Sequence, residues 1–345
     1  MKGGEKGANA LGTCGKYVVQ DAALCVKLFE KIETRGRDAA GFWASNKNNN
    51  IIYHKEPIES TKLVKKSFWE KIRKFNPNVM LCHARKASAG VGIPDVNKNN
   101  HPFVNHDKKT ALMHNGRIHE LEYEYLIKYY QVNGNCDSEI LLRIFENEEN
   151  ELQAIEKMWT YSPESYMAVA VAKHEQDKQK LYLFRNDYRP LCIIDLQESL
   201  GQIFFCSTTD MWENALYNKK IRNLLKKRVK IIILPSKQLW SFELTNELKR
   251  NIYTIKTGPN NKSLNHPKIP LKPSVMLPGV FCELDEDEDP PHYSRPSKHP
   301  YGPFGDEEED NQSLYGPLCP QSHNMLPNFW KRPQDKLLLG CELQN

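Results

Sequence analysis

Tyr166-Met-Ala-Val-Ala-Val-Ala172, closely followed by Lys180-Leu-Tyr-Leu-Phe-Arg185, is the stretch on which the fold turns. Both runs are short and apolar, and a charged segment separates them, so they read as two buried strands. Strand-type runs continue downstream at Leu191–Asp195, Ile203–Ser207, Val229–Leu234, Leu239–Leu244 and Ile252–Lys256. Upstream, Gly41–Ala44, Ile51–His54, Val79–Ala84 and Thr110–His114 are of the same type, and a short run at Lys16–Val19 precedes them. Ala22–Glu33 reads as an amphipathic helix, because Leu24, Leu28 and Ile32 share one face. Glu120–Tyr130, Ser138–Glu146 and Glu151–Trp159 also read as helices. Helices gathered mainly in the first half, with strands dominating the second, predict an α+β protein with layered antiparallel sheets.

Composition sets the limits of that domain. The chain has 345 residues, enough for a sizeable core. Fourteen of its 21 prolines lie at or beyond Pro259, and residues 259–345 carry 8 basic and 13 acidic side chains, whereas residues 1–258 carry a net charge of +10. Acidic runs at Glu283–Asp289 and Asp306–Asp310, with no sustained periodicity, predict a disordered Pro-rich acidic tail from residue 259. No segment approaches the roughly 18 apolar residues of a membrane span, and the N-terminus has no apolar run of signal-peptide type. Nine scattered cysteines without a Cys-x-x-Cys pair suggest neither a disulfide framework nor a zinc site, and fit a reducing, cytoplasmic compartment. No cofactor or metal is expected.

The residues able to do chemistry cluster in glycine-bearing segments between strands: Arg35-Gly-Arg-Asp-Ala-Ala-Gly41, Cys82-His-Ala-Arg-Lys-Ala-Ser-Ala-Gly90 and His114-Asn-Gly116. Asn100-His-Pro102 and Cys136-Asp-Ser-Glu139 lie close by in sequence. Each has an ordinary explanation. Asn115-Gly116 is a common turn dipeptide, and Asp137 could cap the following helix. Arg85 could form a surface ion pair, and His101 could be a turn histidine.

Their order and spacing together resemble the class II glutamine amidotransferases, a branch of the N-terminal-nucleophile hydrolases. The family pattern is matched by Cys14-Gly15, Arg35–Gly41, His83-Ala-Arg-Lys-Ala-Ser88, Asn99-Asn-His-Pro102, His114-Asn-Gly116 and Asp137-Ser-Glu139. Ser165–Ala170, Arg185–Leu191 and Phe205-Cys-Ser-Thr208 resemble its later strands and turns, so the likeness covers roughly residues 14–215. It implies a four-layer αββα sandwich of the N-terminal-nucleophile hydrolase type. The implied division is a removable propeptide at 1–13, an amidotransferase domain at 14–258, and the tail at 259–345.

The resemblance also implies a mechanism: hydrolysis of the glutamine side-chain amide to glutamate and ammonia. Cys14 would be the nucleophile, with its own α-amine as base, since an unperturbed amine near pKa 7.7–8.0 suits proton transfer at neutrality. Asn115 and the Gly116 N–H would stabilise the oxyanion, with Arg35 close to the nucleophile. Arg85 would grip the substrate carboxylate and Asp137 its ammonium, with His101 and Ser88 shaping the pocket. Two departures accompany the match. Thirteen residues precede Cys14, and the interval from Cys14 to Arg35 is a few residues shorter than the family's. The expected partners are glutamine and a separate ammonia-accepting synthase, with no membrane. An amidotransferase-fold binding protein in which Cys14 stays internal is the competing reading. Nucleic-acid binding through the seven basic residues of Lys219–Lys230 is a third, supported by no recognised nucleic-acid motif.

Overall fold

Gly12, in the middle of Asn9-Ala-Leu-Gly-Thr-Cys-Gly15, shows why this unpromising segment is a strand. A Cβ there would meet the Phe205 ring at 2.4 Å and the Met80 carbonyl oxygen at 2.5 Å. Only a glycine fits where neighbouring strands and a layer below converge. This strand, β1 (Asn9–Gly15), pairs antiparallel with two others and lies at the centre of a sheet. The computed structural model describes residues 9–15, 22–48, 50–66, 72, 74–87, 92–176, 178–216 and 230–256. The expected strand at Lys16–Val19, Ser88, the basic stretch before Lys230, the tail from 259 and the side chain of Leu24 lie outside the described residues.

The first sheet combines β1 with β2 (Ala39–Ser45), β3 (Ile51–Glu56), β4 (Val79–Arg85), β9 (Cys192–Leu196), β10 (Gln202–Cys206) and β11 (Lys230–Ile233), in the order β11-β9-β10-β1-β4-β2-β3. The second combines β5 (Phe103–Val104), β6 (Thr110–His114), β7 (Ala168–His174), β8 (Gln179–Arg185), β12 (Gln238–Leu244) and β13 (Leu248–Thr254), in the order β13-β12-β8-β7-β6-β5. The described pairings are antiparallel throughout.

Alternation along the strands divides the core into three sets of contacts. From β1, Ala10 and Cys14 face the space between the sheets, where they join Trp43, Leu81, Met113, Ala170, Ile203, Phe205 and Phe242. Leu11 points the other way, to a layer made by α1 (Ala22–Ile32), α2 (Ser60–Leu63) and α7 (Thr209–Leu216), through Leu28, Phe29, Ile32, Leu63 and Trp212. On the outer face of the second sheet, α3 (Glu120–Leu126), α4 (Glu139–Glu146) and α5 (Glu151–Tyr161) cover Leu112, Val169, Val171 and Phe184. The short helix α6 (Gln197–Leu200) joins β9 to β10 and ends on Gly201 at φ +64°. The expected αββα sandwich is the observed architecture.

β1 begins at Asn9 and therefore includes residues on both sides of the division expected between residues 13 and 14. The other expected strands recur within a few residues of their predicted positions, apart from the run at Lys16–Val19, which lies outside the described residues.

Candidate functional site

Antiparallel pairing carries several strand ends to one end of the sandwich. β1 starts beside the end of β4, with Asn9 opposite Ala84, and beside the end of β10, with Leu11 opposite Cys206. His83 on β4 hydrogen-bonds through Nε2 to the carbonyl of His114 at the end of β6 (3.3 Å), which ties the two sheets together there. His114 in turn reaches α4, its Nδ1 lying 2.8 Å from Ser138 Oγ.

Arg85 is a buried guanidinium rather than a surface ion pair. Nη1 donates to Asn100 Oδ1 (2.8 Å), Nη2 donates to the Gly92 carbonyl (2.7 Å), and Cys136 Sγ lies 3.8 Å from Nη2. Gly92 lets the loop close this tightly: its φ is +55°, and a Cβ would sit 2.9 Å from Arg85 Nη2. Asp137 is buried too. Its Oδ2 accepts the Ile118 N–H (2.7 Å), and its Oδ1 accepts from Ser138 Oγ (3.2 Å) and Cys136 Sγ (3.6 Å). It does not cap α4, which starts at Glu139 with no side-chain cap bond. The Cys136 thiol therefore touches a buried cation and a buried carboxylate together. Desolvation, with Asp137 adding to it and Arg85 opposing, pushes that thiol up to about 12, so it stays protonated at neutral pH.

Asn115-Gly116 is not a turn. Asn115 exchanges both backbone hydrogen bonds with Ala168 (2.9 and 3.1 Å), and Arg117 bridges Tyr166, so the segment extends the β6–β7 ladder. A Cβ at Gly116 would meet the Tyr166 carbonyl oxygen at 1.7 Å, which explains the glycine. Asn115 Nδ2 donates to Ser207 Oγ (3.1 Å), whereas its buried Oδ1 has no partner among the described residues. A buried polar atom left open is one that a bound ligand or water can satisfy.

His101 stacks on His83 (ring centroids 4.1 Å apart) and meets the edge of Phe103 at 4.7 Å, with neither ring nitrogen partnered among the described residues. Its carbonyl oxygen presses on Gly41, where a Cβ would stand 2.2 Å away. Burial keeps these imidazoles neutral. His83 is pushed down to about 3, His101 well below the usual histidine range, and His114 downward against the pull of Asp137. Arg35 lies at the rim, half-buried. Gly36 packs on the Ala84 carbonyl (2.5 Å to a Cβ), Asp38 N–H bonds the Arg85 carbonyl (3.0 Å), and the Arg35 guanidinium senses Arg189 and Asp210.

Four participants were not assigned roles from sequence. Lys55 Nζ donates to the Asn100 carbonyl (2.6 Å), and burial brings its ammonium down to about 8, opposed by Glu139. Ser207 links Asn115 to β1, accepting the Ala10 N–H at 3.0 Å. Cys136 and Ala10 complete the set. Lys55 has no motif around it, and only the strand register reveals Ala10. Among the described residues, no three or more His, Cys, Asp or Glu are placed to hold a metal.

Arg85, Asp137, Asn115, Gly116, His101 and, at the rim, Arg35 are thus gathered at one end. Cys14 is not. It pairs with Val79 and Ile203 toward the other end of β1, fully buried between the sheets. It stands four positions along the strand from Ala10, about 13 Å at 3.3 Å per residue. Burial alone pushes its thiol well above the usual range.

Residues 88–213 match a family described as "Glutamine amidotransferase domain". The chain is 31% identical over 150 residues to glutamine--fructose-6-phosphate aminotransferase [isomerizing] of Staphylococcus aureus strains Mu50 and N315, covering 42% of this chain and 24% of those proteins. The chain carries a class II glutamine amidotransferase domain. In three dimensions the amidotransferase domain resembles the solved allosteric regulatory enzyme of purine biosynthesis, with a TM-score of 0.51 at 15% identity, over 72% of this chain and 50% of that one. The fold is therefore that of the N-terminal-nucleophile hydrolases. The chain spans about a quarter of the length of the curated relatives it matches. No described helix is long and apolar enough to cross a membrane.

Proposed function

We propose that this amidotransferase domain recognises free L-glutamine, held as a zwitterion at one end and by its amide at the other. One observation carries the reading: Arg85 and Asp137, opposite charges buried in one loop cluster, both touch the Cys136 thiol. An α-amino acid presents a carboxylate and an ammonium one carbon apart, which suits that pair. Burying two such charges is costly unless a ligand or a dense hydrogen-bond set meets them. The guanidinium matches the carboxylate through a planar fork, and Lys55 adds a second positive group to that side. Asn115 and Gly116 lie where the side-chain amide would end, with Asn115 Oδ1 still open.

Cys14 takes no part in this recognition, and hydrolysis through it is not supported. A nucleophile must reach the amide carbon at about 3 Å, and it must be a thiolate. Cys14 meets neither requirement. The relatives' names describe transfer of glutamine nitrogen to fructose 6-phosphate. An ammonia-accepting synthase would be a partner here only if the site released ammonia.

Titration calorimetry of the full chain with L-glutamine tests the reading. Saturable binding should appear with L-glutamine, and at least tenfold weaker binding with D-glutamine and with the amide lacking an α-carboxylate. Equal affinity for all three would remove Arg85 and Asp137 from recognition.

A further inference from the structure

We infer that this site holds glutamine without cleaving it, because the strand position beside the amide end carries Ala10. The inference rests on the glutamine reading above and adds what happens after binding. Ser207 Oγ lies 3.1 Å from Asn115 Nδ2 and accepts the backbone N–H of Ala10 at 3.0 Å, and the Ser207 N–H returns a bond to the Ala10 carbonyl at 3.1 Å. Ala10 is thus the β1 residue adjoining Asn115, and its side chain faces the space between the sheets. A methyl group there has no electron pair to offer an amide carbon.

Nor can the backbone at this point act as a base. β1 continues through Asn9, which pairs with Ala84, so the nitrogen of Ala10 is a peptide N–H engaged with Ser207. Residues 1–12 contain no cysteine, serine or threonine, so trimming the chain anywhere in that interval would expose no nucleophilic side chain. Thr13 is the first candidate, and its hydroxyl donates to the Ile203 carbonyl at 2.8 Å on the far side of Gly12.

Neighbouring groups do not replace the missing nucleophile. The Ser207 hydroxyl accepts from Ala10 and Asn115 and donates to the Ala10 carbonyl (3.3 Å), so both its proton and its lone pairs are committed. Cys206 donates to the Thr208 carbonyl and belongs to the helix-side cluster, as does Cys82. Cys136 contacts the two charged groups that hold the α-carbon end, not the amide end. The product of this arrangement is a reversible complex with intact glutamine, a receptor rather than an ammonia source.

The experiment combines binding, turnover and labelling on the full chain. L-glutamine binding is measured by calorimetry, glutamate by an amino-acid assay after overnight incubation, and adducts by intact mass after exposure to a diazoketone analogue of glutamine. The native chain should bind glutamine, form less than one equivalent of glutamate and gain no adduct. Ala10→Cys should gain one adduct, and excess L-glutamine should suppress it, since the new thiol lies beside the amide end. Sustained glutamate release, or a glutamine-protected adduct on a native cysteine, would overturn this inference and leave glutamine recognition standing. An unlabelled but folded Ala10→Cys protein would overturn the placement of Ala10 beside the ligand. Absence of binding to the native chain would overturn the recognition reading, and this inference with it.

Discussion

Arg85 carries the sharpest expectation at the scale of single residues. Its two guanidinium nitrogens serve Asn100 Oδ1 and the Gly92 carbonyl, fixing the plane of the fork within the pocket. Lysine keeps the charge but not the plane, so Arg85→Lys should weaken L-glutamine binding at least tenfold in calorimetry. Unchanged affinity would show that the carboxylate is held elsewhere. The histidines set a pH dependence. His83, His101 and His114 stay neutral in the fold, with His83 pushed down to about 3, whereas unfolded histidine titrates near 6.5. Below that value the unfolded chain binds more protons than the folded one, so stability falls with pH, by up to about 1.4 kcal/mol per unit for each histidine. Arg85 and Lys55 reinforce the effect at His101, and Asp137 opposes it at His114. Tm should therefore drop between pH 6.5 and 4.5, and His101→Gln should flatten that limb. Parallel curves for the two proteins would count against a buried neutral His101.

At the scale of elements, β1 separates what could be read from sequence from what could not. Asn9-Ala-Leu-Gly-Thr-Cys-Gly15 has neither β-branched richness nor alternation, because a strand paired on both edges and buried on both faces selects small residues at its crossings, as Gly12 does against Phe205 and Met80. The loops at the strand ends were legible, because Arg85, Asp137 and Asn115 stand in an ordered run of motifs. The Cys14-Gly15 dipeptide has the composition of the family motif, and the strand pairing sets Cys14 opposite Val79 and Ile203. Its interval to Arg35 is a few residues short, and the strand pairing accounts for the shortfall, since the residue adjoining Asn115 is Ala10, four positions earlier. Two expectations belong to these elements. A chain starting at Cys14 loses most of a central ladder to β4 and β10 and should be unfolded by circular dichroism; a folded protein would mean that β1 is dispensable. Gly116→Ala must move the Tyr166 carbonyl from 1.7 Å, so it should lower Tm clearly, and an unchanged Tm would mean that the β6–β7 extension yields easily.

The described residues form a four-layer body and end just past β13, where the Ile255 N–H bonds the Lys237 carbonyl and the Lys256 N–H bonds Glu156 Oε1. These bonds fasten the residues that follow β13 to the residue preceding β12 of the second sheet and to α5. Every described residue gathered at the candidate site lies between Ala10 and Ser207. The charge division points the same way, since a body of net +10 stands apart in composition from the acidic, Pro-rich remainder. A chain ending at Gly258 should keep the native Tm within about 2 °C, a shift corresponding to under 1 kcal/mol in a domain of this size. It should also bind L-glutamine with the affinity of the full chain. A large loss of Tm would mean that residues beyond 258 complete the core. A change in affinity without a change in Tm would be more specific: it would make those residues a regulator of the pocket, acting on a site that they do not build.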